Sequence, residues 1–447
     1  MKRRTFISTL GAVSATGALA RGASAPSSPR TLETDVLVIG GGTAGTIAAI
    51  QAGRLGAKTM LVESGSQLGG TTTTAGVDFP GLFHAWGKQV IAGIGWELVT
   101  ATAEMNGDDL PDFTKPTGRQ HWRHQVRIFG NLYAALAEEA CEKAGVQLRY
   151  YEFPTAVTAT PTGWRVRLVG KGTEVEIVAR QLIDCTGNAS VVRLAGITCQ
   201  RDKERQPGTL IYRLGGWDPA AVDVDRLQAK LVAAMKSGAI KLTDARGNIA
   251  GFLRNGGDNA MHVSGADSST SETHTAANVA GRQSVLRMIR FLKEEPAFAL
   301  MKVERLQPET GVRETYRIIG ETNVKVEDYQ TGRVFADAIA HSFYPIDLHV
   351  DGSIVPKHLQ EGVVPTIPRG ALIPQGSKNL MVAGRCLGSD RLANSALRVQ
   401  ASCMAMGQAA GVTAALAAKA GTTPLQVGLA EIRRELTKHG AIVPRTA

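Results

Sequence analysis

Residues 35–63, DVLVIGGGTAGTIAAIQAGRLGAKTMLVE, constrain this chain more than any other stretch. Residues 35–39 form an apolar run of buried-strand length, 44–55 a small-residue helix and 59–63 a second strand, joined by the turn Gly40-x-Gly42-x-x-Gly45. Strand, glycine turn, helix and strand within about 30 residues make one βαβ unit. The first glycine permits the tight turn, the second lets a diphosphate reach the backbone, and the third lets helix close on strand. The helix N-terminus, opened by Thr43 and Ala44, then faces the phosphates with about half a positive charge. Glu63, followed by Ser64, ends the second strand about 20 residues on, where a carboxylate accepts hydrogen bonds from ribose hydroxyls. The pattern predicts a dinucleotide site in an α/β fold.

Beyond this unit the chain is punctuated unevenly. A Gly/Thr-rich loop (68–76) follows, then a predicted helix over 124–144 and short strands over 146–184 with a turn at Pro161-Thr162-Gly163. From about 200 to 370 helices and strands mix, with several Gly and Pro breaks. One more apolar strand (379–383) and a long small-residue helix (about 395–418) close the pattern. No internal repeat occurs. This order predicts a Rossmann-type domain built from discontinuous segments, 26–200 and 371–447, with an inserted α+β substrate cap, 201–370.

The formal charge of +10 raises the question of nucleic acid. Residues 1–25 contribute Lys2, Arg3, Arg4 and Arg21 and no acid, which leaves +6 for the remainder. No run of five Lys/Arg exists and aromatic residues are only 5%, so no basic, aromatic-lined groove is expected. The same 25 residues pass from KRR through a weakly apolar stretch to Ala23-Ser24-Ala25, the order of an export signal. The pair Arg3-Arg4 followed by Phe6 resembles a bacterial twin-arginine signal, which implies export to the periplasm or beyond, in folded form. The apolar stretch is too short for a membrane span, and stable membrane insertion is not expected. Five scattered cysteines contain no C-x-x-C pair, so dithiol chemistry and iron–sulfur clusters are not expected; Cys141, at helical spacing with Leu132 and Leu136, reads as core. No zinc or calcium pattern appears, and no metal is implied.

Three further segments separate FAD from NAD by resemblance. Gly69-Gly70-Thr71 resembles the second glycine pair with which FAD enzymes of the glutathione-reductase-like class approach the diphosphate and ribityl chain. IDCTGNASVVRLAG (183–196) resembles the strand ending in A-T-G beside the FAD phosphates, with Cys185 in place of Ala and Thr186-Gly187 kept. NLMVAGR (379–385) resembles the strand ending in Gly-Asp at the ribityl chain; Gly384 is kept and Arg385 replaces the Asp. DRLANSALRVQASCMAMGQAAG (390–411) is similar to the flavin-proximal segment of succinate dehydrogenase and fumarate reductase flavoproteins. There Asn394 or Ser395 would cap the helix, and the amides of Ser395, Ala396 and Leu397 would face the flavin and stabilise its reduced anion by about 0.3–2 kcal/mol. With GVRETYRIIGE (311–321) and SFYPIDLH (342–349), the chain resembles a bacterial family of FAD-dependent oxidoreductases. Val157, in the strand region before 184, is assigned to the same cofactor.

No second strand–glycine–helix unit exists for NADPH, so electrons must enter or leave by another route: direct exchange with a small-molecule substrate in the cap, and an acceptor that is a quinone, a soluble electron carrier or oxygen. Arg313, with Arg317 nearby, is the candidate anchor for an anionic substrate; pairing with Glu314 or Glu321 is the plainer alternative. His349 is the candidate base, with His341 and Tyr344 as rivals. His84 is a candidate flavin contact, and Arg398 a candidate for neutralising reduced flavin. The leading expectation is an FAD enzyme that oxidises a small polar substrate at a C–H bond next to oxygen or nitrogen. The alternatives are an ene-reductase of the fumarate-reductase type and an electron-transfer or binding flavoprotein without its own substrate.

Overall fold

Apolar residues at alternate and consecutive positions pull the first segment into the interior. The computed structural model describes residues 30–445; the expected export signal lies outside the described residues. Strand β1 (Arg30–Ile39), helix α1 (Thr43–Arg54) and strand β2 (Thr59–Glu63) form the βαβ unit, with β1 and β2 parallel and Val36 opposite Thr59. The first ten residues of α1 are all buried, as expected of a helix covered on every side.

Four strands follow: β3 (Gln147–Tyr150), β4 (Glu152–Thr160), β5 (Gly163–Gly170) and β6 (Thr173–Asp184). The sheet order is β3-β2-β1-β6-β5-β4, parallel through its first four members and antiparallel through the last two. Between β2 and β3 the helix expected over 124–144 begins later, at Gly130, after a 3-10 turn at His121–His124. Cys141, on that helix, is fully buried in the core.

The cap has a sheet of its own. Strand β7 (Tyr212–Gly215) pairs antiparallel with Gly257–Asp258 and with β8 (Lys302–Leu306), backed by helix α2 (Ser271–Lys293). Its apolar side chains, from Leu210 to Val312, form a core separate from that of the sheet. Residues from Val324 to Ile373 pack instead into the main core, with α1. The two apolar cores therefore divide between Val312 and Val324, inside the segment expected as the cap, because segments without strong periodicity carry no sign of which core they join.

A hairpin of β9 (Ile346–Val350) and β10 (Ser353–Lys357) follows, and β11 (Leu380–Val382) returns to the main sheet beside the last residues of β6. The C-terminal helix is not continuous. Helix α3 (Arg391–Leu397) is capped by Asp390, whose carboxylate accepts from the Ala393 N–H at 2.8 Å, and Val399 is extended before α4 (Gln400–Ala420) begins. Asp390 thus takes the capping role expected of Asn394 or Ser395. Helix α4 is long and apolar enough to cross a membrane, yet most of it is buried against α1. Contact there is backbone to backbone: a Cβ at Gly407 would lie 2.2 Å from the Ala44 carbonyl oxygen, and one at Gly411 2.4 Å from that of Ala48.

Candidate active site

The carboxyl ends of β1, β2, β6 and β11 lie along one edge of the sheet, where open α/β sheets bind ligands. A cavity of about 1020 Å³ opens there and runs on beneath the cap. Its first part is built from the glycine turn. Gly40 adopts φ +100, and a Cβ at Gly45 would lie 1.8 Å from the Gly40 carbonyl oxygen, so both positions require glycine. At Gly42 a Cβ would meet no protein atom within 4 Å: that direction is the open cavity. Helix α1 starts at Gly42 without a side-chain cap, so the N–H groups of its first turn lack helical acceptors where a diphosphate would sit. This cradle fits the phosphates of FAD.

Glu63 stands at the wall of the same cavity. Its carboxylate accepts from Gly41 N–H at 2.7 Å and Gly65 N–H at 2.6 Å, while burial pushes its pKa up. Thr43, Ala44, Ser64, Gly70 and Thr71 border the cavity too. Gly69 lies behind them, its N–H donating to the Gly41 carbonyl at 2.8 Å. Thr186, Gly187 and Gly384 form the far wall. That turn is organised by Asp184, which the sequence reading passed over: it accepts from Thr186, Val191 and Val192 N–H groups at 2.9–3.1 Å. An Asp at the end of an apolar strand, two residues before Thr, is a readable turn signal.

Three assignments are placed differently. Val157 is packed in the core with Val166 and Ile177; a register shift between Pro154 and Ala156 separates it from Phe153 and Pro154 of the same strand, which border the cavity instead. Ser395, Ala396 and Leu397 are buried within α3, and the break after it brings Arg398, Val399, Gln400 and Cys403 to the cavity wall. Arg385 does border the cavity, but its guanidinium is spent on structure. It donates to the Gly187 carbonyl at 2.8 Å, to Asn188 Oδ1 at 2.9 Å and to the Val312 carbonyl, and so ties the phosphate-side turn to the cap.

Deeper in, the cavity is lined by Arg313, Tyr344, Asp347, His349 and Arg398. Arg313 donates to the Pro207 carbonyl at 2.6 Å and Thr209 Oγ1 at 3.0 Å, and among the described residues it makes no salt bridge. Burial, then the charge of Arg398, lowers its pKa to about 9, still a cation at neutral pH. Glu314 pairs with Arg391 at 3.0 Å, Arg317 with Asp202 at 2.6 Å, and Glu321 accepts from Gly376 N–H at 2.8 Å. The neighbours offered as partners or helpers of Arg313 are therefore engaged elsewhere. Arg398 reaches Gln206 Oε1 and the Asp347 carbonyl at 3.2 Å and Asp347 Oδ2 at 3.4 Å.

His349 lies at the wall, but both its ring nitrogens are occupied: Nε2 faces Asp347 Oδ2 at 3.0 Å and Nδ1 faces His262 Nε2 at 3.1 Å. It presents no spare lone pair to a substrate, which corrects the expectation that it is the base. Tyr344 Oη accepts from Gln125 Nε2 at 3.0 Å, and burial pushes its hydroxyl pKa up. His84 lies outside the cavity lining, stacked on Phe113 at 3.8 Å, and His341 is likewise absent from the lining. Asp347 and His262 were missed. Asp347-x-His349 in a strand puts both side chains on one face, a signal the sequence contained; the approach of His262, from a loop in the cap, had none.

A family model described as FAD dependent oxidoreductase matches residues 35–436. Among solved structures the chain is similar to a geranylgeranyl bacteriochlorophyll reductase-like protein from Thermoplasma acidophilum, at 13% identity over 92% of this chain and 82% of that one, TM-score 0.40. It is also similar to the anhydrotetracycline hydroxylase OxyS from Streptomyces rimosus, at 18% identity over 42% of this chain, TM-score 0.31; the match spans 39% of the hydroxylase. A third is THI4 from Thermovibrio ammonificans, at 16% identity over 37% of this chain and 64% of that one, TM-score 0.27.

Proposed function

This chain belongs to the FAD-dependent oxidoreductase family, and from that premise we propose that it oxidises a small, polar, anionic substrate at a C–H bond next to oxygen or nitrogen. When bound, FAD supplies an isoalloxazine ring able to accept a hydride. The chain's own part is to hold and orient. The amides opening α1 would hold the diphosphate, Glu63 the adenosine ribose, and the 186–187 and 384 turns the middle of the cofactor. Arg313, half-buried and without a salt-bridge partner among the described residues, takes the anionic end of the substrate, with Arg398 also on the cavity wall.

One observation carries this reading: at the end of the cavity lined by Arg313, Asp347 and Arg398, the carboxylate lies 3.4 Å from Arg398 and Arg313 makes no salt bridge among the described residues. The Arg313 charge is thus available to an acid. Electrons would pass on to a quinone, a soluble carrier or oxygen. The test is anaerobic mixing of the purified yellow protein with a panel of α-hydroxy and α-amino acids, following the visible absorption of the flavin. Bleaching by one of them is expected. Reoxidation of the reduced protein by unsaturated acids, with no bleaching by any saturated one, would reverse the direction to an ene-reductase. A flavin that answers only to a redox protein would make it an electron carrier.

A further inference from the structure

The side-chain period of two puts Asp347 and His349 on one face of β9, and the hairpin turn at Gly352 brings the backbone round to the far side of His262. His262 is 2% exposed and His349 4%. Three hydrogen bonds string these groups in a line. The Gly352 N–H donates to His262 Nδ1 at 3.2 Å, His262 Nε2 meets His349 Nδ1 at 3.1 Å, and His349 Nε2 meets Asp347 Oδ2 at 3.0 Å.

The direction of the line is decided at its outer end. A backbone amide can only donate, so His262 Nδ1 carries a lone pair and its proton sits on Nε2. That proton points at His349 Nδ1, which must therefore be the bare nitrogen, and His349 holds its own proton on Nε2, aimed at the carboxylate. With both rings neutral and Asp347 ionised, every bond in the line has one donor and one acceptor. Reversing a ring would set two lone pairs or two protons against each other in a buried place.

The surroundings favour the same state. Burial, with Arg246 and Arg313 around His262 and Arg313 and Arg398 around His349, holds both rings down to about 3, against the opposing pull of Asp347 and the Val350 carbonyl. Asp347 is fixed from its other sides as well. Its N–H donates to Ser395 Oγ at 3.2 Å and its Oδ2 receives Arg398 Nη2 at 3.4 Å. No hydrogen bond within the described residues occupies its Oδ1, although Asp347 borders the cavity.

We propose that Asp347, through its unoccupied Oδ1, is the group that accepts the hydroxyl or amine proton of the substrate, and that His262 and His349 are positioning residues that hold its other oxygen and so aim it. The proposal rests on the oxidative reading above. As the C–H hydrogen leaves with its electron pair for FAD, the O–H or N–H bond breaks, its electron pair stays on the substrate to complete C=O or C=N, and the proton adds to the Asp347 carboxylate. A substrate suited to this wall carries an acid group for Arg313 and, at the reacting carbon, a hydroxyl or amine for Asp347.

The first test needs no substrate. Long-range proton–nitrogen NMR on the FAD-bound protein labelled with 15N-histidine, between pH 5 and 8, should show two neutral Nε2–H imidazoles that do not titrate. They are assigned by their loss in His262→Gln and His349→Gln. An Nδ1–H tautomer on either ring, or titration of either within that range, would overturn the positioning role. The second test uses whichever α-hydroxy or α-amino acid bleaches the flavin. Asp347→Asn should lower kcat by about 100-fold or more, the usual weight of a general base. His349→Gln, which keeps an N–H donor toward Asp347, should retain far more activity than His349→Leu, and His262→Gln more than His262→Leu. Equal loss in His349→Gln and Asp347→Asn, with FAD content and thermal midpoint unchanged, would return the base to His349. Failure to find any bleaching substrate would count against the oxidative reading, while the NMR result still decides the hydrogen-bond line.

Discussion

Gly42 and Gly45 sit three residues apart in the same turn and have opposite constraints. A side chain at Gly45 collides with the Gly40 backbone, whereas one at Gly42 enters only the cavity where a diphosphate would lie. Gly45→Val should therefore fail to give folded protein, while Gly42→Val should fold with a normal thermal midpoint and come through purification with its FAD content reduced by about tenfold or more. Unchanged flavin content in Gly42→Val would remove the cradle from the cofactor. Arg313 lends itself to a similar separation. A charged hydrogen bond is worth about 1.5–3 kcal/mol, so Arg313→Ala should raise KM for an acidic substrate by about 10- to 100-fold. Because the anchor acts alike in the bound substrate and the transition state, kcat should move much less. A drop in kcat at constant KM would instead place the Arg313 contact in the transition state alone, and unchanged KM and kcat would remove Arg313 from substrate binding. Gly42, Gly45 and Arg313 could all be named from sequence, because glycine sterics and guanidinium chemistry depend on residue type and spacing. Asp347 was legible two residues before His349 in a strand and was passed over, whereas His262 was not legible, because its approach from a cap loop leaves no mark on either segment alone.

At the scale of elements, the junction of α1 and α4 decides whether the cradle is held in place. Gly407 and Gly411, one helical turn apart, let α4 lie directly on the carbonyls of Ala44 and Ala48. Gly407→Val has no flexible side chain to displace. It should lower stability by at least the about 1–3 kcal/mol of an overpacked core, measured by urea unfolding, and should shed FAD, because Ala44 belongs to the first turn of α1. Retention of both stability and flavin would mean that the helices can part without disturbing the turn. The small-residue composition of this segment was legible, and so was its helical character. The break at Val399 was not: no proline or glycine marks it, and there the chain turns extended while the Pro80 carbonyl, from a distant loop, takes the Ala401 N–H of the next helix at 2.8 Å. That break is what exposes Arg398 to the cavity.

For the whole molecule, burial of neutral histidines ties stability to acid. His262 and His349, held at about 3, and His84, held at about 4, have folded values below the ordinary 6.5. Between those values the unfolded chain binds more protons than the folded one. Stability is therefore full above about 6.5 and falls as the pH drops from there toward 3. The thermal midpoint should decline across that interval, and His262→Gln should decline less steeply; a flat profile would show that these rings are not neutral in the fold. The sequence by itself determined the βαβ unit, its dinucleotide chemistry and the return of a C-terminal segment to the same site, since these rest on local periodicity, glycine sterics and spacing along one chain. Only the tertiary structure decided which core residues 324–373 join, that Arg385 ties the Gly187 turn to the cap, and that His349 faces Asp347 and His262. These depend on segments far apart along the chain meeting in space, where burial and hydrogen-bond direction, not residue type, assign each side chain its part.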